Sequence, residues 1–339
     1  MKRRLFLGLL GTSAFAGAAP LAADPGDLAR SWASWAARFL QPDGRVVDPE
    51  QGGVSHSEGQ AYALLSAQAA GDREAFERIE RWTREHLLVR DDALMAWRWT
   101  PGSGVVGEDW HNATDGDLFR AWALLRAARD SGWDIPAERY TPIVADLSAL
   151  CLWPDPRDPA QLLLRPGAEA FATADRVLIN PSYIMPRALR DLGHATGDDR
   201  LIGAADHGVA CLSELAGIGL LPDWIDVTSE GYGDPTNHDL RSAYDALRIP
   251  LYLAWSGHRD HAAVRLARAK LAPQGMSGGV AVARDDTGQV VSRSDLPGYL
   301  ALRAFLECKD LPPVESSVPG PYYPAVLHLL ATVAKWEVA

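Results

Sequence analysis

Along most of the chain, apolar residues recur every three to four positions, the spacing of one buried face of an α-helix. Segments 26–40, 57–70, 73–88, 115–130, 138–150, 182–195, 198–216, 239–256, 258–271, 295–308 and 322–336 carry that pattern. Gly71-Asp72, Gly197-Asp198 and Gly257-His258 divide successive segments by tight turns, where glycine can take the left-handed conformation at a helix end. Such short connections predict helical hairpins. Strands do not alternate with helices, and no fixed-period repeat runs through the sequence. The pattern predicts an all-α fold, a toroid of eleven or twelve helices in pairs.

The pattern lapses over 89–113, 151–181, 217–238 and 273–294, with strand-like fragments at Leu94–Thr100 and Gly279–Ala283. Loops of this length in a compact domain usually serve a site. Four prolines between Leu311 and Tyr323 read as an extended arm before the last helix.

Composition alters this picture mainly at the N-terminus. Lys2-Arg3-Arg4, an apolar run from Leu5 to about Ala19, and small residues at Ala16-Gly17-Ala18 or Ala23 form an export signal over 1–23. The run is too short and too rich in alanine and glycine to span a membrane, so no stable membrane insertion is expected. Arg3-Arg4-Leu5-Phe6-Leu7 also resembles a twin-arginine signal. The mature chain, 24–339, reads as one domain in the periplasm or outside the cell. The full chain of 339 residues is 47% hydrophobic with net charge −11, which suits a large core and disfavours nucleic acid. Three distant cysteines, Cys151, Cys211 and Cys308, do not make a disulfide framework, although one bridge stays open.

Two motifs are decoys. Gly102-Ser-Gly104-Val-Val-Gly107 has dinucleotide-binding spacing, but Glu108-Asp-Trp-His111 follows it in place of an apolar helix. Gly275-Met-Ser277-Gly-Gly279 has nucleophile-elbow spacing, but a strand-like stretch follows. His56, His111 and His238 lack paired metal-ligand spacing, so no metal and no cofactor are expected.

Chemistry concentrates in three acids. Ser57-Glu58-Gly59-Gln60 opens one helical segment, and Ala113-Thr114-Asp115-Gly116-Asp117 opens another. Asp245 falls within segment 239–256, three residues before Arg248, so the two share a helix face. A plain structural reading competes with each. Ser55 with Glu58 and Thr114 with Asp117 both match a capping box, and Asp245–Arg248 matches an exposed ion pair. Asp117 is assigned to capping, and Glu58 and Asp115 to chemistry. Separated carboxylates in a tryptophan-rich protein suit glycosidic-bond hydrolysis, since sugar rings stack on indoles. Trp32, Trp35, Trp82, Trp122 and Trp255 follow helix patterns and are expected in the core. Trp97, Trp99, Trp110, Trp153 and Trp224 lie in loops and are candidates for a groove.

Seven short motifs now combine: Asp43-Gly-Arg-Val-Val-Asp48, Ser57-Glu-Gly-Gln60, Ala96-Trp-Arg-Trp99, Asn112-Ala-Thr-Asp-Gly-Asp-Leu118, Asn180-Pro-Ser-Tyr183, Tyr244-Asp-Ala-Leu-Arg248 and Tyr322-Tyr-Pro-Ala-Val. In order and spacing, from about Trp32 to Trp336, the chain resembles glycoside hydrolase family 8, above all the periplasmic endoglucanases encoded with bacterial cellulose synthase. It departs from the family's helix signature at Arg120, normally isoleucine or methionine, and at Ser131, normally aromatic. The resemblance implies an (α/α)6 barrel that cleaves β-1,4-glucosidic bonds in cellulose internally, with inversion. It implies Glu58 as general acid, Asp245 as general base, and Asp115 as the acid that holds the distorted sugar, sometimes named the nucleophile. Tyr183 and Arg248 match supports of the base and its water. Gln60, Trp97, Trp99, Trp110 and Asn112 are expected to support the site or bind substrate. A functional association with a cellulose synthase complex is also implied. The alternatives are the same chemistry on xylan, mixed-linkage β-glucan or chitosan, and a non-catalytic glucan-binding component of an export system.

Overall fold

A computed structural model describes residues 25–272, 279–313 and 320–338. The export signal at 1–23, most of the 275–279 motif and part of the proline-rich arm lie outside the described residues. The described helices are α1 Pro25–Phe39, α2 Ser57–Ala70, α3 Arg73–His86, α4 Thr114–Arg129, α5 Thr141–Leu150 and α6 Pro186–Thr196. There follow α7 Asp199–Gly217, α8 Arg248–Trp255, α9 Ala262–Lys270, α10 Pro297–Leu306 and α11 Tyr322–Val338.

Helices α2, α4, α6, α8 and α11 touch in that order, and α11 closes back on α2. The remaining described helices pack outside this ring, giving the toroid of paired helices that the pattern predicts and the (α/α)6 barrel that the resemblance implies. The sequences suit the two layers. Inner α2 and α4 are rich in small residues and buried on nearly every side, from Gly59 to Gln68 and from Thr114 to Ala127. Outer α3 buries only Ala75, Phe76, Ile79, Glu80, Trp82 and Thr83, with its other charges facing water. The helix-patterned tryptophans at 32, 35, 82, 122 and 255 are all buried. Arg120, unusual for the family, is buried against Glu80 through two hydrogen bonds of 3.0 and 2.7 Å. Ser131 accepts a hydrogen bond from Gln68, while Trp133 packs edge-on against Phe76.

One predicted helix needs correction. Segment 239–256 is helical only from Arg248, so Asp245 lies in the preceding turn and not on a helix face. Pro250 explains part of this, because it lacks the N–H that a continuous helix would donate to Ala246. Asp223 explains the rest: its carboxylate accepts the Ala243 and Ala246 N–H groups at 2.8 and 2.9 Å, which pins the turn. Pro186 similarly delays α6, and Pro181–Tyr183 forms a separate 3-10 turn.

The long connections hold more strand than expected. β1 Ser55–His56 pairs with β2 Arg98–Trp99, and β3 Leu152–Asp155 with β4 Asp158–Leu164. β5 Arg176–Ile179, β6 Ile225–Thr228 and β7 Gly231–Gly233 form one antiparallel sheet, and β8 Val280–Arg284 pairs with β9 Val290–Ser294. Val177, Ile179, Ile225 and Val227 bury one face of that sheet against Cys211 and Leu215 of α7. All three cysteines are free, and no described helix is long and apolar enough to cross a membrane.

Candidate active site

The first turns of α2 and α4 meet, and this contact brings Glu58 and Asp115 together. Gly116 makes it possible: a Cβ there would lie 2.6 Å from Ser57 Oγ and 3.0 Å from the Glu58 nitrogen. Gly59 plays the same part toward α11, since its Cβ would lie 2.3 Å from Tyr322 Oη. Asp245 arrives from the turn before α8, where Asn180 Nδ2 donates to Asp245 Oδ2 at 3.0 Å.

Arg248 joins all three acids. Its Nη2 lies 2.7 Å from Asp245 Oδ1, and its Nη1 lies 3.2 Å from Asp115 Oδ2 and 3.7 Å from Glu58 Oε1. The fork also donates to Tyr62 Oη at 2.9 Å and Ser182 Oγ at 3.0 Å. The acids differ in access: the side chains of Glu58 and Asp245 are 22% and 30% exposed, while Asp115 is 0% exposed. Two carboxylates reach solvent, and the third forms the floor.

Burial, and after it the neighbouring Glu58 carboxylate, pushes the Asp115 carboxyl well above its usual range. Arg248 and the Tyr62 hydroxyl pull it back, and the Gly116 N–H also donates to Asp115, at 2.9 Å. Above this floor lies a cleft of about 250 Å³, lined by Glu58, Tyr62, Trp97, Tyr244, Asp245 and Arg248 among others. Trp97 stacks parallel on His56 at 5.7 Å. Trp224 stacks on His238 at 4.1 Å and also approaches Tyr183. Burial keeps both imidazoles below their usual pKa, so each stack presents a neutral face near pH 7.

An apolar-walled cleft with carboxylates around a fixed cation suits hydrolysis of a neutral polymer, and the comparisons agree. The sequence model of the glycosyl hydrolases family 8 matches residues 3–332. The chain belongs to this family. It is 32% identical to an endoglucanase of Cellulomonas uda, over 78% of this chain and 79% of that one. Against a probable endoglucanase of Novacetimonas hansenii the identity is 35%, over 73% and 71%. Among solved structures, a family 8 endoglucanase of Klebsiella pneumoniae superposes with a TM-score of 0.82 at 30% identity, over 91% of this chain and 100% of that one. An endo-β-1,4-glucanase of Acetobacter xylinum superposes with a TM-score of 0.78 at 31% identity, covering 93% and 99%.

Within this family 8 glycosyl hydrolase, the residues singled out by sequence separate into groups. Glu58, Asp115, Asp245, Arg248 and Tyr183 converge, with the Arg248 guanidinium 5.7 Å from the Tyr183 ring centre. Trp97 joins them at the cleft. Gln60 does not: it is buried, accepts the Val46 N–H and donates to Thr83 Oγ1, so it ties α2 to its surroundings. Asn112 is likewise held inside, between Asp117 and the Ala168 N–H. Trp99 packs on Trp82 and His86, and Trp153 lies against Arg165. Trp110 is 44% exposed beneath Arg90.

Neither capping box forms. Ser55 Oγ donates to the Val46 carbonyl, and the position before α2 belongs to His56 without a side-chain cap. Asp117, assigned to capping by its spacing, instead accepts from the Met95 N–H at 2.7 Å and from Asn112. Burial pushes its carboxyl up to about 7.

Tyr62, Asn180, Ser182 and Tyr252 also join the candidate site, although sequence reasoning assigned Tyr62 and Tyr252 no part and named Asn180 and Ser182 only within a motif. Helical spacing carries part of the missing signal, since Tyr62 lies four residues after Glu58 and Tyr252 four after Arg248. Asp155, His207 and Cys211 form a metal-like triple elsewhere. There the Arg157 guanidinium sits 2.7 Å from Asp155 Oδ2 and 3.3 Å from Cys211 Sγ, and the Cys211 hydrogen bond helps raise His207 to about 9. This is an ion-pair cluster in which the resident cations are side chains.

Proposed function

We propose that this chain is an endo-acting, inverting β-1,4-glucanase whose substrate is cellulose. One observation carries the reading: two half-buried carboxylates from different elements, Glu58 and Asp245, flank one guanidinium at the cleft, with fully buried Asp115 behind them. Inversion calls for a separation of roughly 6.5–9.5 Å between the two carboxyls, which leaves room for a water opposite the leaving oxygen.

In this mechanism Glu58 gives its proton to the glycosidic oxygen as the C1–O bond breaks. Asp245 takes a proton from a water that attacks C1 from the opposite face, so the new hydroxyl has inverted configuration. Arg248 and Asn180 orient the Asp245 carboxylate. Arg248 and the Tyr62 hydroxyl favour the charged form of Asp115 against burial and Glu58, and that anion would stabilise the positive sugar ring of the transition state. The stacked faces of Trp97 and Trp224 suit glucose rings on either side of the cut. The basic and apolar N-terminus supports work in the periplasm or outside the cell, and we extend the reading to action beside a cellulose synthase.

A substrate panel tests this reading. Carboxymethylcellulose should lose viscosity faster than reducing ends accumulate, with weaker turnover of xylan and chitosan. Faster cleavage of either of those polymers would reassign the substrate. Binding of glucan without turnover of any polymer would favour the non-catalytic alternative.

A further inference from the structure

We propose that Tyr62 is a positioning residue that locks the acid side of the site to the base side through its hydroxyl. The inference rests on the catalytic reading above and deepens it. Tyr62 Oη lies at a buried junction of three groups. It accepts from Arg248 Nη1 at 2.9 Å and from Tyr252 Oη at 3.0 Å, and its own proton goes to Asp115 Oδ2 at 3.2 Å.

This polarity has two consequences. With Nη1 taken up by Tyr62 and Asp115, the planar Arg248 fork is turned so that Nη2 meets Asp245 and Ser182. The orientation of the base therefore depends on a hydroxyl of α2, the helix that carries the acid. Asp115 also receives a hydroxyl hydrogen bond that favours its charged form, against burial and against Glu58. Tyr252 sets the direction of the chain, since its donation to Tyr62 leaves the Tyr62 proton free for Asp115. Edge contact with Phe119 of α4 at 5.0 Å holds the Tyr62 ring in place. The titratable and charged groups facing this junction are Glu58, Asp115, Tyr183, Asp245, Arg248 and Tyr252.

The test is the pH profile of Tyr62→Phe on a soluble cellulose derivative, measured on protein whose circular dichroism and melting curve show it folded. The variant should lose about 10–100-fold in kcat with little change in KM, because the lost hydroxyl orients groups rather than binding sugar. The acidic limb of kcat should move to higher pH, since Asp115 loses a partner of its anion. Tyr252→Phe should move the limb the same way by a smaller amount. An unmoved limb, or a wild-type kcat, overturns the proposal. Glu58→Gln and Asp245→Asn are assayed in parallel. If both are inactive while Tyr62→Phe behaves as wild type, only the role of Tyr62 falls; if both stay active, the catalytic reading itself falls.

Discussion

Replacing Glu58 with glutamine is expected to lower kcat on cellulose derivatives by roughly 10²–10⁴-fold, the usual contribution of general acid catalysis. The amide keeps the shape of the side chain but has no acidic proton for the leaving oxygen. Oligosaccharide affinity should change little, because Glu58 is one half-buried group in a cleft lined also by Trp97, Tyr244 and Arg248. A substrate with a good leaving group, such as an aryl cellooligosaccharide, should lose much less rate, since its departure needs little protonation. Steady-state kinetics on both substrates check this. More than about a tenth of the wild-type rate on the polymer would remove Glu58 from the acid's role.

Arg248→Met should damage both the fold and the reaction. The guanidinium is the cation paired with buried Asp115 and also contacts Asp245 and Glu58. Removing one partner of a buried ion pair typically costs about 3–5 kcal/mol, because the remaining charge keeps its desolvation penalty. Here the cost should depend on pH. Burial already raises Asp115 above its unfolded value, and loss of the cation raises it further. A carboxyl raised in the folded state is no burden while protonated in both states, below the unfolded value near 4. Its penalty grows as pH rises from there toward the folded value. The stability gap between wild type and variant should therefore be small in acid and widen toward neutrality. Urea melts at several pH values check this, and a gap independent of pH would mean that Asp115 is not the charge left unpaired. Activity should fall with stability across the range, since Asp245 loses the Nη2 contact that orients it.

The barrel was legible because its signal is periodic. Helices such as α3 and α7 announce themselves by spacing, and α2 by the glycine turn that ends it, and all three lie within a residue or two of the expected bounds. The boundary before α8 was not legible, because it depends on Asp223, some twenty residues earlier, capturing two backbone N–H groups. Short strands such as β5 and β6 escaped for a related reason. Four residues carry too little alternation to be recognised, and what stabilises them is packing on α7. Glu58 and Asp115 stood out by position at helix starts, but their companions did not. Gln60 and Asn112 share motifs with Glu58 and Asp115 yet point into the framework, so proximity in sequence overstated their part. Tyr62 and Asn180 reach the acids only once α2, α8 and the turn at Pro181–Tyr183 have closed around Arg248.

Proton NMR of the first products decides whether Glu58 and Asp245 act on opposite faces of one sugar ring. Cellopentaose hydrolysed at low temperature should release new reducing ends as the α-anomer, with the β signal growing only as mutarotation proceeds. First appearance of the β-anomer would mean that configuration is retained, and that water is not delivered by Asp245 as described.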